Sequence, residues 1–571
     1  MISKDSNVPD VLAHFPGTRR VFDAYGLHGC GGPQGPPETV EFFARVHGVP
    51  LERLLADLRA AREAPAAPYV EDLGDILHRR FFRAGIVVLL TAGVSLGTLM
   101  LAVHALRHTF TALDLFGYVQ AHANAQIHGW VGLFVMGFAV QGLPRFKYVH
   151  LWKPALANGS FVLMLAGLAL RTVAGLPTPG AFVLGIAGGT LQALSVLLFV
   201  VVLGKTLYRR PTVETWDKYV VTGLGCFLAA AALEPILYAF VFSAAAPDIF
   251  VGRVADVLKP FRDLQLLGFA GFLILGVSQR ILPKAFGFRE IGALASNAAF
   301  ALLLGGLLLD VVAWGAFRYT HRTFWAIGSW IGTGLYAAGA LHVAARLRAW
   351  TGGSADDRST KFIRASYVWL AVACLMAVAE PLYARALDLR FSHAYHGAVR
   401  HAFTVGFLSL MIVGVSSKVV PILQGVDPKT LPALTVSFLL INAGNALRVL
   451  SQVLTELAPG PAFPAMVAGG MLAGFGLALW GIHLWKLLGV RPEPSAPPKN
   501  VVGPETKVAD LAEACPATLD VFDRFGFREL RNPFLRRTIA RRVTVRTACA
   551  LKNVDEERLL RALREAAEKG A

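Results

Sequence analysis

The sequence predicts an all-α, polytopic membrane protein with twelve transmembrane helices in three four-helix repeats and a small helical domain at each end. Three observations lead to this fold class. The 571-residue chain is 55% hydrophobic and only 16% charged. Its apolar residues form runs of roughly 20, the length that crosses a bilayer. Glycines and prolines recur at fixed spacing through those runs.

The charge distribution indicates a membrane partner and no nucleic acid. The formal net charge is +17, but many Lys and Arg flank apolar runs, as at Arg79-Arg80 and Arg209-Arg210. Such placement is typical of membrane anchoring. The five Cys form no CxxC pair, so neither a disulfide framework nor a zinc site is indicated. The polar N-terminal segment does not resemble a signal peptide.

Pro-rich segments divide the chain. We expect a small helical cytoplasmic domain at 1–66, a linker at 67–78, the membrane domain at 79–488, a Pro-rich linker at 489–503, and a second copy of the small domain at 504–571.

Twelve apolar segments are long enough to cross the bilayer. They are residues 81–105, 119–143, 154–175, 181–205, 218–243, 261–283, 291–314, 323–348, 362–386, 398–421, 430–454 and 462–487. An even number places both termini on one side. The loops on that side are the richer in Lys and Arg, which predicts a bacterial cytoplasmic (inner) membrane protein with both termini in the cytoplasm.

The two ends of the chain repeat one another. Residues near the N-terminus recur 500 positions later, and after a gap the match resumes at an offset of 505, as for Thr39 and Thr544. The first matching pairs are Val8/Val508, Asp10/Asp510, Pro16/Pro516, Thr18/Thr518, Phe22/Phe522 and Gly26/Gly526. One small helical domain therefore is expected to occur twice.

A second repeat lies in the membrane region. Two Gly and one Pro keep the same spacing in three spans: Gly129, Gly137 and Pro144; Gly268, Gly276 and Pro283; Gly406, Gly414 and Pro421. Arg171, Asp310 and Arg448 each follow the proline of their set by 27 residues. Glycines at such spacing let helices approach closely. We therefore expect three four-helix units around a pseudo-threefold axis.

Histidines inside the spans are the first functional candidates, because polar groups in a membrane are costly. His122 and His401 occupy nearly equivalent places in the second and tenth spans. Neutral imidazole is a common ligand of haem iron and also suits copper. Two such His on facing helices are expected to supply both axial ligands of a haem. His128, His393 and His396 are candidates for a second metal, with helix capping as the alternative role.

Carboxylates and arginines form a second group of candidates. Glu234 and Glu380 each precede a proline within a span and either relay protons or bond the backbone groups that the proline frees. Arg171 and Arg448 either form ion pairs between units or contact haem propionates.

Local motifs resemble the catalytic subunit of haem–copper oxidases. His122-Ala123-Asn124-Ala125 resembles the His-x-Asn-Ala of the second helix in cbb-type oxidases, whose His ligates the low-spin haem b. His401 resembles the second His of the tenth-helix pair that completes that haem. The first His of that pair falls at Val399, and Asn297 stands where the seventh helix usually has a His pair. The resemblance implies a retained low-spin haem site and a lost oxygen-reducing centre.

The membrane region also resembles the NnrS family of haem and copper proteins tied to nitric oxide metabolism. Residues 400–406, Arg-His-Ala-Phe-Thr-Val-Gly, resemble its Trp-His-Ala-Leu-Thr-Val-Gly signature. His122 resembles the first His of its His-x-His-Glu-Met motif, in which Asn124 and Ala125 replace the second His and the Glu. The family's Gly-His-Thr-Gly-Arg is absent after Val420.

The N-terminal domain resembles the short domain at the front of ScdA-type iron–sulfur repair proteins, which carry Cys-Cys-Gly-Gly. Here only Cys30 remains, after Gly29. The expected role of Cys30 is a reactive thiol or a helical turn without chemistry.

These resemblances imply a membrane protein that binds or responds to nitric oxide through haem b, with copper or a second haem as a further cofactor. A quinol or a cytochrome is the expected class of electron donor. Two alternatives stay open. One is a catalytic nitric oxide reductase or quinol oxidase with a rearranged metal site, and the other is a haem-free transporter or sensor. The parallel repeat of even-numbered units gives no support to an inverted-repeat transporter.

Overall fold

The protein is built from helices throughout the part of the chain that its structure, a computed structural model, describes. That part comprises residues 2–490 apart from 66–68, 70, 109–112, 211–212 and 390. It continues with residues 502–569 apart from 505, 516, 533–534, 536–539 and 541–542.

Four short helices form the N-terminal domain: α1 Val8–His14, α2 Arg19–Ala24, α3 Val40–His47 and α4 Leu51–Ala60. Thr39 begins α3 by accepting a hydrogen bond at its hydroxyl from the Phe42 amide at 3.2 Å. Gly48, at φ +74°, ends it in the left-handed conformation that glycine adopts without strain. Apolar side chains such as Phe22 and Leu54 are fully buried in a core that also includes Leu423 of the membrane region.

The membrane domain consists of twelve long helices. They are α5 Leu73–Arg107, α6 Phe116–Phe146, α7 Pro154–Ala174, α8 Ala181–Leu207, α9 Asp217–Phe242, α10 Pro247–Phe286, α11 Ala293–Thr320, α12 Thr323–Leu347, α13 Thr360–Ala386, α14 His393–Leu423, α15 Thr435–Leu454 and α16 Pro459–Leu488. Among the described residues, eleven of these helices are long and apolar enough to cross a membrane, and α12 falls below that level of hydropathy. The chain is a multi-pass membrane protein.

Helix α10 begins well before the apolar run at residue 261 that predicted it. Its first turns are amphipathic, and their polar side chains find partners. Arg253 donates to the Phe240 carbonyl at 2.6 Å, and Lys259 pairs with Asp310 at 2.8 Å. An apolar run therefore marks the buried part of a helix rather than its ends.

Helices α6, α10 and α14 form the centre of the domain, because they are the most buried of the candidate spans. Each contains a π-helical segment at a corresponding place: Ala125–Gly132, Leu264–Gly271 and Ala402–Ser409. The Trp130 indole of α6 donates to the Ser409 hydroxyl of α14 at 3.0 Å. The other helices surround this trio, and α16 packs against α5, which closes the ring.

Three outer helix pairs cross at facing glycines. The pairs are Gly167 with Gly188 (α7 and α8), Gly306 with Gly332 (α11 and α12), and Gly444 with Gly469 (α15 and α16). A Cβ atom added at any of them would lie 2.7–2.9 Å from the partner's carbonyl oxygen. Only glycine therefore allows these backbones to come so close.

The N-terminal domain contacts one end of all three central helices. Arg145 follows Pro144 in the last turn of α6. It pairs with Asp75 at 2.8 Å and donates to the His28 carbonyl. Arg280 of α10 donates to the Val46 carbonyl at 3.0 Å. The Gly31 amide donates to the Leu423 carbonyl of α14 at 3.1 Å. The domain is thus a cap on the trio.

The C-terminal domain has α17 Val508–Ala514, α18 Ala517–Arg524, α19 Val545–Lys552 and α20 Glu556–Lys569 around a separate core. Its tertiary hydrogen bonds correspond to those of the N-terminal domain. The Val8 amide donates to the Glu38 carbonyl at 2.8 Å and the Val508 amide to the Val543 carbonyl at 3.0 Å. Thr544 caps α19 as Thr39 caps α3.

A cavity of about 540 Å³ lies between the cap and the membrane domain, with Glu38, Phe42 and Lys418 in its lining. Burial raises the pKa of Glu38 to about 8, although the nearby Lys418 opposes this shift. Burial also lowers the pKa values of His28 and His47, at the same interface, to about 3. The docked cap therefore holds a protonated Glu38 and two neutral imidazoles.

We expect docking of the cap to be strongest near pH 6.5. A raised carboxyl pKa gives stability that is present at low pH and is lost as pH rises towards 8. Because the imidazole pKa values are lowered, the docked cap loses stability as pH falls below 6.5. The ratio of the Cys30 alkylation rates of wild type and Glu38→Gln should therefore rise on the order of tenfold from pH 6.5 to pH 8. Peptide mass spectrometry at matched pH measures this ratio, and a ratio that stays constant from pH 6.5 to pH 8 would contradict the role of Glu38.

Candidate functional site

His122 of α6 and His401 of α14 are held in the same way, each with a free lone pair at Nε2. The His122 Nδ1 lies 2.8 Å from the Gly93 carbonyl, and the His401 Nδ1 lies 2.8 Å from the Gly397 carbonyl. A carbonyl only accepts, so Nδ1 carries the proton and the Nε2 lone pair is free. This is the arrangement that orients metal-ligating histidines. The two imidazoles are close enough to interact electrostatically.

The α5 backbone also lies close to His122, at Gly97. A Cβ atom at Gly97 of α5 would lie 2.5 Å from the His122 Cε1. The imidazole therefore packs directly against the α5 backbone, and the ring orientation is fixed by this contact together with the bond to Gly93.

Arg448 of α15 is a buried cation within electrostatic range of both histidines. It is 6% exposed and interacts electrostatically with His122 and His401. Its Nη1 has no hydrogen-bond partner, and no carboxylate in the described part of the chain forms an ion pair with it. Asn445 and Gln452 of the same helix also have buried amide atoms without partners. The donors in this group, Arg448 Nη1 and Asn445 Nδ2, suit an anionic ligand that the protein itself does not supply.

Arg171, at the corresponding place in α7, is already paired. Its guanidinium lies 2.7 Å from Glu234 and stacks on the Tyr238 ring at 4.3 Å. Both charged side chains are about 95% buried. Glu234 thus has the structural role of neutralising Arg171, and the predictions that Arg171 contacts a cofactor and that Glu234 relays protons stay untested.

Asp310 of α11 stands at the position that corresponds to Arg171 and Arg448 in the other two units of the sequence repeat. Lys259 lies 2.8 Å from Asp310 and 2.9 Å from Asp263, and Ser329 donates to Asp310. This cluster joins α10, α11 and α12 and is satisfied internally.

His128 is separated from His393 and His396 in its contacts. His128 is fully buried, and its Nδ1 lies 3.3 Å from the Asn124 amide nitrogen. His393 and His396, at the start of α14, both contact the Phe391 ring, and His396 lies 3.4 Å from Glu380. Among the described residues, no group of three His, Cys, Asp or Glu is placed to hold a metal ion. A second metal at these histidines stays a prediction.

Cys30 lies in the cap, next to Arg145, and is 7% exposed. Burial raises the pKa of its thiol, which disfavours the nucleophilic thiolate. The geometry therefore gives Cys30 a packing role at the interface.

Several buried polar residues were not singled out from the sequence. Gln192 forms a reciprocal amide pair with Asn124 at 2.8 and 3.0 Å, and Arg262 donates to Gln265 at 2.6 Å and to Gln120. The available signal was a polar side chain within an apolar run, the same signal that identified the histidines.

The fold and the contacts described above define an all-helical, multi-pass membrane protein with buried polar sites between its central helices. The family described as NnrS protein matches residues 76–491, so the chain belongs to the NnrS family of bacterial membrane proteins, which is linked to the response to nitric oxide and nitrosative stress. A domain of unknown function, DUF1858, matches residues 503–560. No curated protein matches the chain significantly.

The Arg171–Glu234 pair can be tested by removing one charge. We expect Arg171→Leu to destabilise the protein by about 3–5 kcal/mol, because Glu234 would keep a buried charge without a partner. The double variant Arg171→Leu, Glu234→Leu should recover most of that loss. Thermal unfolding in detergent measures both. Arg318→Leu is the matched control, since the Arg318–Asp256 pair is partly exposed and worth under about 1 kcal/mol. Equal effects of Arg171→Leu and Arg318→Leu would contradict a buried pair.

Proposed function

We propose that this NnrS-family protein binds haem b between α6 and α14, with His122 and His401 as axial ligands, and acts in nitric oxide metabolism or the nitrosative stress response. The observation that carries the proposal is the shared state of the two imidazoles. Both donate Nδ1–H to a carbonyl, both keep Nε2 free, and they lie within electrostatic range of one another.

Arg448 supports the choice of an anionic cofactor. A buried guanidinium without a carboxylate costs several kcal/mol unless a ligand supplies the charge. Haem propionates are carboxylates, and charge-assisted bonds to Arg are among the strongest in proteins. The Asn445 NH₂ group, which has no partner and lies on the same helix, offers a further hydrogen bond.

The protein's own residues limit the chemistry of this site. When bound, haem supplies electron transfer and gas binding. If both imidazoles ligate, a gas reaches the iron only when one ligand leaves, so we assign electron transfer or sensing by ligand exchange. A quinol or a cytochrome is then the donor class. Catalytic turnover of nitric oxide would need an open position, and copper or a second haem near His128, His393 and His396 is the alternative that provides one.

We also propose that α12 is a twelfth span and that the membrane domain is three four-helix units, as in the haem–copper oxidase subunit. The 25 residues of α12 rise about 37 Å, enough to cross the hydrocarbon core. Each of the three units has one glycine crossing, and the second helix of each unit (α6, α10 and α14) has a π-helical segment. Twelve spans and the basic loops favour both termini in the cytoplasm. The matching hydrogen bonds of the two end domains favour a shared fold, which extends the ScdA-type resemblance to both.

The optical spectrum of the purified protein tests the haem assignment. We expect sharp reduced bands of a six-coordinate b haem in wild type, and their loss in His401→Ala and in His122→Ala. His483→Ala, on α16, is the control and should leave the spectrum unchanged. A protein produced with ample haem that shows no Soret band would exclude the proposal. A five-coordinate spectrum before any gas is added would indicate an open iron and favour the catalytic alternative, whereas a band shift of a six-coordinate haem on adding nitric oxide would favour sensing by ligand exchange.

Arg448 gives a second, independent test. Arg448→Leu should speed haem loss to apomyoglobin by roughly tenfold to a hundredfold, since a charge-assisted hydrogen bond contributes about 1.5–3 kcal/mol. The same change should leave the haem-free protein as stable as wild type or more so, because it removes a buried charge without a partner. An unchanged rate of haem loss, or destabilised haem-free protein, would give Arg448 a structural role instead.

A further inference from the structure

A second buried polar cluster lies between α6 and α10, against α8 and α9. Its members are Asn124, His128, Gln192, Glu234, Arg262 and Gln265, all less than 5% exposed, and we refer to them as the α6–α10 cluster. The π-helical segments that carry His128 and Gln265 contact each other. Several polar atoms of this cluster have no partner in the protein.

The neighbours of His128 determine which of its nitrogens carries the proton. The Asn124 amide nitrogen faces Glu234 at 3.5 Å and the Gln192 oxygen at 3.0 Å, so it must be the NH₂ group. The same nitrogen lies 3.3 Å from the His128 Nδ1, which therefore accepts. In the neutral imidazole the proton is then on Nε2. His128 Nε2 is a buried N–H donor without a partner.

The orientation of Gln265 follows in the same way. Its Oε1 accepts from the Arg262 guanidinium at 2.6 Å, so its other terminal atom is the NH₂ group. That nitrogen is buried and has no partner. Two N–H donors on contacting helix segments thus await an acceptor, and an unsatisfied buried donor costs about 1–3 kcal/mol.

The charge of the cluster is unbalanced. Arg171 pairs with one oxygen of Glu234, whose other oxygen has no partner, whereas Arg262 donates only to the amide oxygens of Gln265 and Gln120. In the described part of the chain no carboxylate forms an ion pair with Arg262, which is 3% exposed. One positive charge therefore remains in a medium of low dielectric constant, where a counter-ion is strongly favoured.

We propose that a small monoanion, of the size of a halide, nitrite or nitrate, binds in the α6–α10 cluster. The N–H groups of His128 and Gln265 donate to it, and Arg262 balances its charge. His128 acts as a donor here and not as a metal ligand, because a ligating Nε2 would place the proton on Nδ1, facing the Asn124 NH₂ group. No residue of this site is shared with the haem site proposed between α6 and α14.

The test is the thermal stability of purified, haem-loaded protein in sodium nitrate or sodium chloride, against sodium gluconate at equal ionic strength. We expect wild type to show a saturable rise in Tm of several degrees with the small anions. Gln265→Glu puts a carboxylate in the place of the ligand. We expect its Tm in gluconate to match that of wild type with anion, and nitrate or chloride to add nothing further.

Gln279→Glu is the matched control on the same helix, because Gln279 bonds Ser296 and the Leu275 carbonyl and lies outside the cluster. It should keep the full response to anions. His128→Phe, which removes the other donor, should lose the response while its haem spectrum stays as in wild type. The proposal is overturned if wild type responds equally to gluconate and nitrate, or if Gln265→Glu retains the response. Either result leaves the haem assignment untouched.

Discussion

The cost of an unpaired charge inside the helix bundle governs how this membrane domain is built. Each buried cation must meet a carboxylate, a carbonyl or a ligand, since the surrounding medium offers no water. Lys259 has two carboxylates and Arg171 has one. Arg448 and Arg262 have none in the described part of the chain. The buried cations are therefore paired within the protein at some helix interfaces and unpaired at others.

The three interfaces between the central helices, here called seams, differ in whether their buried cations are paired with carboxylates. The seam of α10 and α14 borders the Lys259 cluster with Asp263 and Asp310, which is closed. The seam of α6 and α14 presents two free imidazole nitrogens beside Arg448. The seam of α6 and α10 presents two N–H donors beside Arg262. One scaffold thus carries a structural seam and two seams suited to ligands, and the differences come from single side chains.

Most of the fold follows from apolar runs and from spacing. The runs predicted every long helix, and the three helices that carry Gly129, Gly268 and Gly406 are the central ones, which was not predicted from the sequence. Helix ends were poorly predicted, because side chains such as Arg253 extend α10 through hydrogen bonds that no hydropathy pattern shows. The apolar runs also predicted that α12 equals its neighbours as a span. The mean hydropathy of α12 is in fact lower, because the helix contains several Gly, Thr and Ser residues.

The site was predictable in its residue types but not in its partners. His122, His401 and Arg448 stand out as polar groups in apolar runs. That Arg171 finds Glu234 while Arg448 finds no carboxylate depends on which helices meet, and no local pattern encodes it. The same holds for the proton on His128, which is set by Asn124 and, through it, by Gln192 and Glu234.

The two open seams are also coupled by charge. Arg262 is close enough to His122 to interact with it electrostatically, and Arg448 interacts with the same imidazole. An anion in one seam lowers the positive potential felt in the other, so occupancy of one site weakens anion binding at the second. Such coupling is reciprocal by linkage. A charged cofactor bound between α6 and α14 would therefore change the anion affinity between α6 and α10, although no residue is shared.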